Sequence, residues 1–300
     1  MRADSKAASL PVLDVRAEAR FLAGHAPGAV NIPLEELARR AHELPPKGSA
    51  VRLYDDDSAR WKAAAEALRL RGYAVQPAAL ATDDLRECGP SRAALWQPSP
   101  FLVEALECIA AVAGPASLGG RALDIACGSG RDAVHLAMRD YEVDAVDRLP
   151  DALERAQDLA RRSGVRLNTI QADLRREPVL PAERYDLVTV LRFLHRPLLP
   201  AIRECVAPGG FVVYETFHRR DAGRGRTGGP IDGARGKQAA SRPRHGSWPC
   251  QGGTRPVETR HTVADGELAA AFAGFEPILA RDGVARGGRM FSQLLARRPR

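Results

Sequence analysis

The stretch at residues 123–132, LDIACGSGRD, constrains the fold of this chain more than any other. Leu123, Asp124, Ile125 and Ala126 read as a short buried strand. Gly128 and Gly130 permit a tight turn and close approach to a ligand, and the apolar run AVHLAM begins a packed helix. Ser129 and Asp132, three residues apart, resemble a capping box, which predicts free backbone N–H groups at the mouth of the turn. Such donors suit a carboxylate or a ribose.

Turns of this kind also occur in α/β proteins that bind nothing, so the surroundings decide the reading. A second strand, EVDAVD, ends at Asp147, about twenty residues beyond the first glycine, the spacing at which an acid meets ribose hydroxyls. A third, RLNTIQAD, ends at Asp173, and YDLVTVL is a fourth. Three carboxylates at successive strand ends fall on the edge where open parallel sheets bind ligands. Two alternatives stay open: Asp147 as a cap of the next helix, and Asp173 as a loop carboxylate.

This pattern resembles the class I S-adenosylmethionine (SAM)-dependent methyltransferases, whose first motif carries an acid inside the strand, as Asp124 is here. The turn APGG before FVVYETF matches that family as well. The resemblance implies a Rossmann-like seven-stranded α/β fold with SAM as cofactor and no metal. It places Asp124, Ala126, Gly128 and Gly130 at the methionine part, Asp147 at the ribose, Asp173 and Leu174 at the adenine, and Leu191 in the same site. Arg131 or Arg192 pairs with the cofactor's carboxylate, a bidentate task suited to guanidinium. For catalysis, His195, Arg192 and Tyr214 are candidates, with Glu215 beside them; His195 suits proton removal because its ordinary pKa lies near neutrality. The segment LWQPSPFLVEAL resembles the domain entrance of a tellurite-resistance and thiopurine branch, which hints at a small, soft acceptor. Trp96 and Phe101 within it read as core residues.

Before this domain, residues 10–80 resemble a rhodanese-like domain through the pattern Gly24, His25, Pro27, Gly28, Ala29, Asn31, Ile32, Pro33. The resemblance implies a small parallel α/β domain. Active members carry a catalytic cysteine after the strand SAVRLYD, where this chain has Asp55, opening the loop DDDSAR. A carboxylate is a poor thiophilic nucleophile, and three acids repel anionic sulfur donors, so the domain is read as inert toward sulfur transfer. Arg60 is expected to pair with a loop aspartate. The organisation is then 1–82 rhodanese-like, 83–94 linker and 95–300 methyltransferase.

Within the 300 residues, 45% of them hydrophobic, no run of eighteen apolar residues occurs, and the N-terminus lacks a hydrophobic signal; a cytoplasmic chain without membrane contact is expected. Five cysteines without C-x-x-C pairs suggest neither zinc nor disulfides, and buried thiols are the default. The net charge of +7 is carried by residues 218–261, a Gly, Arg and Pro-rich stretch. That stretch reads as a disordered loop, an RNA-contacting segment or the product of a shifted reading frame. Beyond it, EPILARDGV and GRMFSQLLARR form two strands of a closing hairpin. The expected function is methyl transfer to a small acceptor. The alternatives are an RNA methyltransferase and a non-catalytic SAM-binding regulator or scaffold in which the rhodanese-like domain recruits a protein partner.

Overall fold

The structure, a computed structural model, describes residues 11–219 and 261–300. Cys250 and almost all of the basic stretch lie outside the described residues, so the three readings of that stretch do as well.

The N-terminal unit is a four-stranded parallel sheet ordered β2 (Val30–Asn31), β1 (Val12–Asp14), β3 (Ala50–Tyr54), β4 (Ala74–Pro77). Helix α1 (Glu18–Ala23) follows β1, and α2 (Ser58–Leu70) crosses from β3 to β4. Asp57 starts α2 by accepting the N–H groups of Ala59 and Arg60, which have no partner inside the first turn. Ala64, Ala65 and Leu68 recur at helical spacing and bury against Leu13, Ile32 and Leu53.

The C-terminal unit opens with α3 (Pro100–Ala113), then alternates β5 (Gly120–Ile125), α4 (Arg131–Ala137), β6 (Tyr141–Asp147), α5 (Pro150–Arg162), β7 (Asn168–Gln171) and β8 (Tyr185–Leu191). After α6 (Leu199–Cys205) come β9 (Val206–His218), β10 (Thr262–Val263), α7 (Glu267–Ala271), β11 (Glu276–Arg286) and β12 (Arg289–Arg297). The sheet runs β7-β6-β5-β8-β9-β12-β11, with β10 added beside β9. Strands β5 to β9 are parallel, while β12 is antiparallel to both β9 and β11, as the expected C-terminal hairpin requires. Both α/β architectures read from the sequence are therefore present. One sheet face packs on α3 and α4 through Phe101, Leu106, Ala133 and Leu187; the other packs on α6 and α7 through Val188, Ile202, Val212 and Leu268.

Three local expectations change. The capping box does not form: α4 is capped by Gly130 in the left-handed region, without a side-chain cap, and Asp132 instead accepts the Ser99 N–H at 2.6 Å. Strand β7 stops at Gln171, so Asp173 lies in the turn beyond it. Cys88 is exposed and Cys108 and Cys127 are half-buried; only Cys205 among the described cysteines is fully buried.

The two glycines of the turn do different work. Gly130 has φ +77°, and a Cβ there would stand 2.5 Å from the Cβ of Ala156 on α5, so its bareness lets two helices touch. Gly128 has φ +57° with open space where a Cβ would be.

The units meet through a short connector. Leu95 packs into the N-terminal core, and the next residue, Trp96, packs on Val134, Leu159 and Ala160 of α4 and α5. Arg162 reaches Glu43 at 2.6 Å, and Arg39 reaches Asp158 at 3.0 Å. Gly130→Ala should lower stability by about 2–4 kcal/mol in urea unfolding of the full chain, from overpacking plus left-handed strain. Gly128→Ala, with the strain alone, should cost about 1 kcal/mol.

Candidate active site

The C-terminal ends of β5, β6, β8 and β9 lie side by side, and the residues there share one edge. On β5 the alternation that turns Leu123 and Ile125 toward α6 turns Asp124 toward α4. Asp124 is almost wholly buried; its Oδ1 accepts the Thr189 hydroxyl at 2.9 Å, while its Oδ2 has no partner. Past β5, Ala126 takes φ +59°, and past β8, Arg192 takes φ +64°. Side chains other than glycine seldom adopt this conformation, and both strained residues flank the same edge.

Asp147 holds the turn from the side: its Oδ2 accepts the Gly128 N–H at 2.9 Å and its Oδ1 accepts the Leu149 N–H at 3.0 Å. Asp173 accepts the Arg175 N–H at 3.2 Å and keeps a partly exposed carboxylate. The side chains of Leu174 and Leu191 are buried in opposite core layers, Leu174 with Ile125 and Val146, Leu191 with Leu187 and Val213.

Burial dominates the electrostatics here. It pushes the Asp124 carboxyl up to about 8, helped by the charge of Asp132, and it raises Asp132 as well. The Cys127 thiol is raised by burial and then by Asp124, so it stays protonated. Arg131 is lowered by burial and next by Arg192, which places the two guanidinium groups within electrostatic reach of each other. Neither is ion-paired to a side chain among the described residues. Two near cations and an unpartnered buried carboxylate oxygen together fit a zwitterion, with its carboxylate on the arginines and its ammonium on Asp124.

The catalytic candidates separate. Arg192 lies at the edge, and its N–H donates to the Glu215 carbonyl at 2.7 Å. His195 sits in the loop before α6, half-buried. Tyr214 is brought elsewhere: its side chain lies in the α6 and α7 layer, edge-on to Phe272, with its hydroxyl buried and unpartnered. Strand parity is the reason, since Val212, Tyr214 and Thr216 face one way and Val213 and Glu215 the other. Glu215 is fully buried on the Asp124 side, receiving Arg286 Nη2 at 2.5 Å and Gln293 Nε2 at 2.8 Å. Arg286 and Gln293 were not singled out from the sequence; the β9–β12 register, pairing Glu215 with Gln293, and the β11–β12 hairpin, pairing Arg286 with Arg289, bring them in.

The lead-in is tied to α4 by the Ser99 N–H donated to Asp132, and Trp96 and Phe101 are core residues as expected. In the N-terminal unit, Asp55 is buried, its Oδ1 accepting the Asp57 N–H at 2.9 Å and its Oδ2 facing Arg60 Nε at 3.2 Å, the pairing anticipated for that loop. Arg60 is shared with Glu35 at 2.5 Å.

Because the Asp124 carboxyl titrates higher folded than unfolded, the folded state holds the extra proton, and that contribution to stability fades as pH rises from about 4 to about 8. Asp124→Asn, which stays neutral, should match the parent chain in melting temperature below that window and exceed it increasingly toward pH 8. A difference independent of pH would contradict this.

Residues 122–210 match the family model of a methyltransferase domain, and residues 1–81 match that of a rhodanese-like domain. An uncharacterized protein of Schizosaccharomyces pombe is 26% identical over 259 residues, covering 68% of this chain and 76% of that protein. Ubiquinone biosynthesis O-methyltransferase of Vibrio vulnificus is 35% identical over 106 residues, which are 34% of this chain and 45% of that enzyme. The chain thus spans less than half the length of that relative. Among solved structures, TehB from Haemophilus influenzae is similar at a TM-score of 0.46 and 15% identity, covering 65% of this chain and 62% of that one. Among the described residues no helix is long and apolar enough to cross a membrane, and no group of three metal-ligating side chains occurs. The two family matches fall one on each observed sheet, a rhodanese-like domain on the N-terminal one and a methyltransferase domain on the C-terminal one.

Proposed function

We propose that this edge holds SAM with its methionine end over Asp124 and the turn, its ribose at Asp147 and its adenine by Asp173, and that the methyl group passes to a small acceptor. The unpartnered Oδ2 of Asp124 carries the reading: a carboxylate oxygen buried without a donor is costly, and an ammonium group relieves it. Arg131 and Arg192 take the carboxylate of the same zwitterion. Asp147 already meets the Gly128 and Leu149 N–H groups, and each of its oxygens keeps a further lone pair for a ribose hydroxyl.

When bound, SAM supplies a methyl group on a sulfonium; the residues here align it and keep water out. The lead-in from Leu95 to Phe101 supplies the exclusion, since its Ser99 N–H is held by Asp132 beside the turn. Support for a small acceptor comes from the relative that is a ubiquinone biosynthesis O-methyltransferase. In this reading the rhodanese-like domain performs no sulfur transfer: Asp55 stands where related active domains carry cysteine, and its carboxylate is engaged by the Asp57 N–H and Arg60.

Calorimetry on the full chain should detect S-adenosylhomocysteine, with Asp147→Ala weakening it by about tenfold or more. No binding to folded protein would sink the proposal, and tight binding with no turnover on any acceptor would favour the scaffold reading. Thiosulfate and cyanide should yield no thiocyanate above the rate without protein, and turnover there would overturn the inert assignment of the N-terminal domain.

A further inference from the structure

Next to the SAM edge, on the same sheet face, lies a polar group that the cofactor contacts leave unused. The register sets Leu191 opposite Glu215, and Glu215 opposite Gln293. At about 4.8 Å per strand, Gln293 stands roughly 10 Å from the end of β8, on the side away from Asp147. Gln293 is 6% exposed, and its amide orientation is fixed, because the Glu215 carboxylate can only accept and so must face Nε2. Its Oε1 is therefore left as a buried acceptor, and no donor meets it among the described residues. Beside it, Phe217 and Phe291 form an aromatic wall, ring centroids 5.3 Å apart, with Arg286 over Phe291 at 4.7 Å and Arg289 over Phe217 at 5.1 Å.

We infer that the methyl acceptor lies against this wall and donates an N–H or O–H to Gln293 Oε1, so that the enzyme methylates an amine or a hydroxyl compound. This inference rests on the proposed function above and deepens it. It departs from the soft acceptor that the lead-in segment suggested, because sulfur, selenium or tellurium attacking through a bare lone pair leaves Oε1 unsatisfied. The step balances as an ordinary displacement. The lone pair of the nitrogen or oxygen forms the new bond to carbon, the sulfur–methyl bond breaks, and its electron pair stays on sulfur as a neutral thioether. The acceptor's proton is released to solvent water. Gln293 is a positioning residue for that hydrogen, its amide held by one Glu215 oxygen while the other accepts Arg286.

The test uses the full chain with SAM, reading S-adenosylhomocysteine formed with catechol and benzylamine against 2-mercaptoethanol, selenite and tellurite. Turnover confined to catechol or benzylamine is expected. Turnover confined to the soft panel, or absent from both panels in protein that binds S-adenosylhomocysteine, overturns the inference while leaving the cofactor site standing. Gln293→Leu should reduce kcat/KM for the responsive probe by about tenfold or more, with S-adenosylhomocysteine affinity unchanged in calorimetry. Gln293→Asn, which keeps the amide, should recover part of that loss. Undiminished kcat/KM in Gln293→Leu also overturns the inference. Absence of S-adenosylhomocysteine binding by the parent chain takes down the cofactor reading first, and this one with it.

Discussion

A carboxylate sealed between a sheet and a helix is an expensive thing to build, and Asp124 is the one on which the surrounding structure depends. Out of water, with one oxygen on Thr189 and the other on nothing, it holds its proton to about pH 8. A core of this size gains nothing from such a group in isolation; an apolar residue of the same volume packs better. Its presence before a strained turn, within electrostatic reach of Asp132 and Arg192, is what the proposed binding of a cationic group accounts for.

Packing keeps that preparation in register. Gly130 lets α4 lie directly on Ala156 of α5, so the turn cannot drift from β6, and Asp147 ties Gly128 to the same strand. From α4, Asp132 holds the lead-in at Ser99, and the lead-in continues back through Trp96 to Leu95 in the other unit's core. Adjacent residues anchored in two different cores leave little slack between them. The Glu43–Arg162 and Arg39–Asp158 pairs add to the contact; the second is largely exposed and contributes little by itself. The rhodanese-like unit is in this way joined to the helices that flank the glycine turn, and its Asp55 loop is internally satisfied by Arg60 and the Asp57 N–H.

Much of this was legible in the chain. The glycine turn after LDIA, the acid at 147 and the pattern ending in FVVYETF carry their own geometry, because tight turns and strand periods are local properties. Asp173 was read one step too far, since an apolar and polar alternation continues past the last ladder bond at Gln171. The capping box failed for a different reason: Gly130 took the cap in the left-handed region, and a distant N–H at Ser99 claimed the side chain of Asp132. Tyr214 and Glu215 could not be told apart beforehand, because adjacent strand residues exchange faces with a one-residue change of register.

The sequence by itself determined the two sheets, the glycine turn after β5 and the acidic loop that Asp55 opens after β3, all of them matters of residue type and short spacing. Only the tertiary structure decided which side chains share a sheet face: that Glu215 meets Arg286 and Gln293, that Tyr214 turns away, and that Gly130 serves a helix contact. Those outcomes depend on which strands pair and at what offset, and pairing between segments 71 or 78 residues apart is fixed by the packing of whole layers.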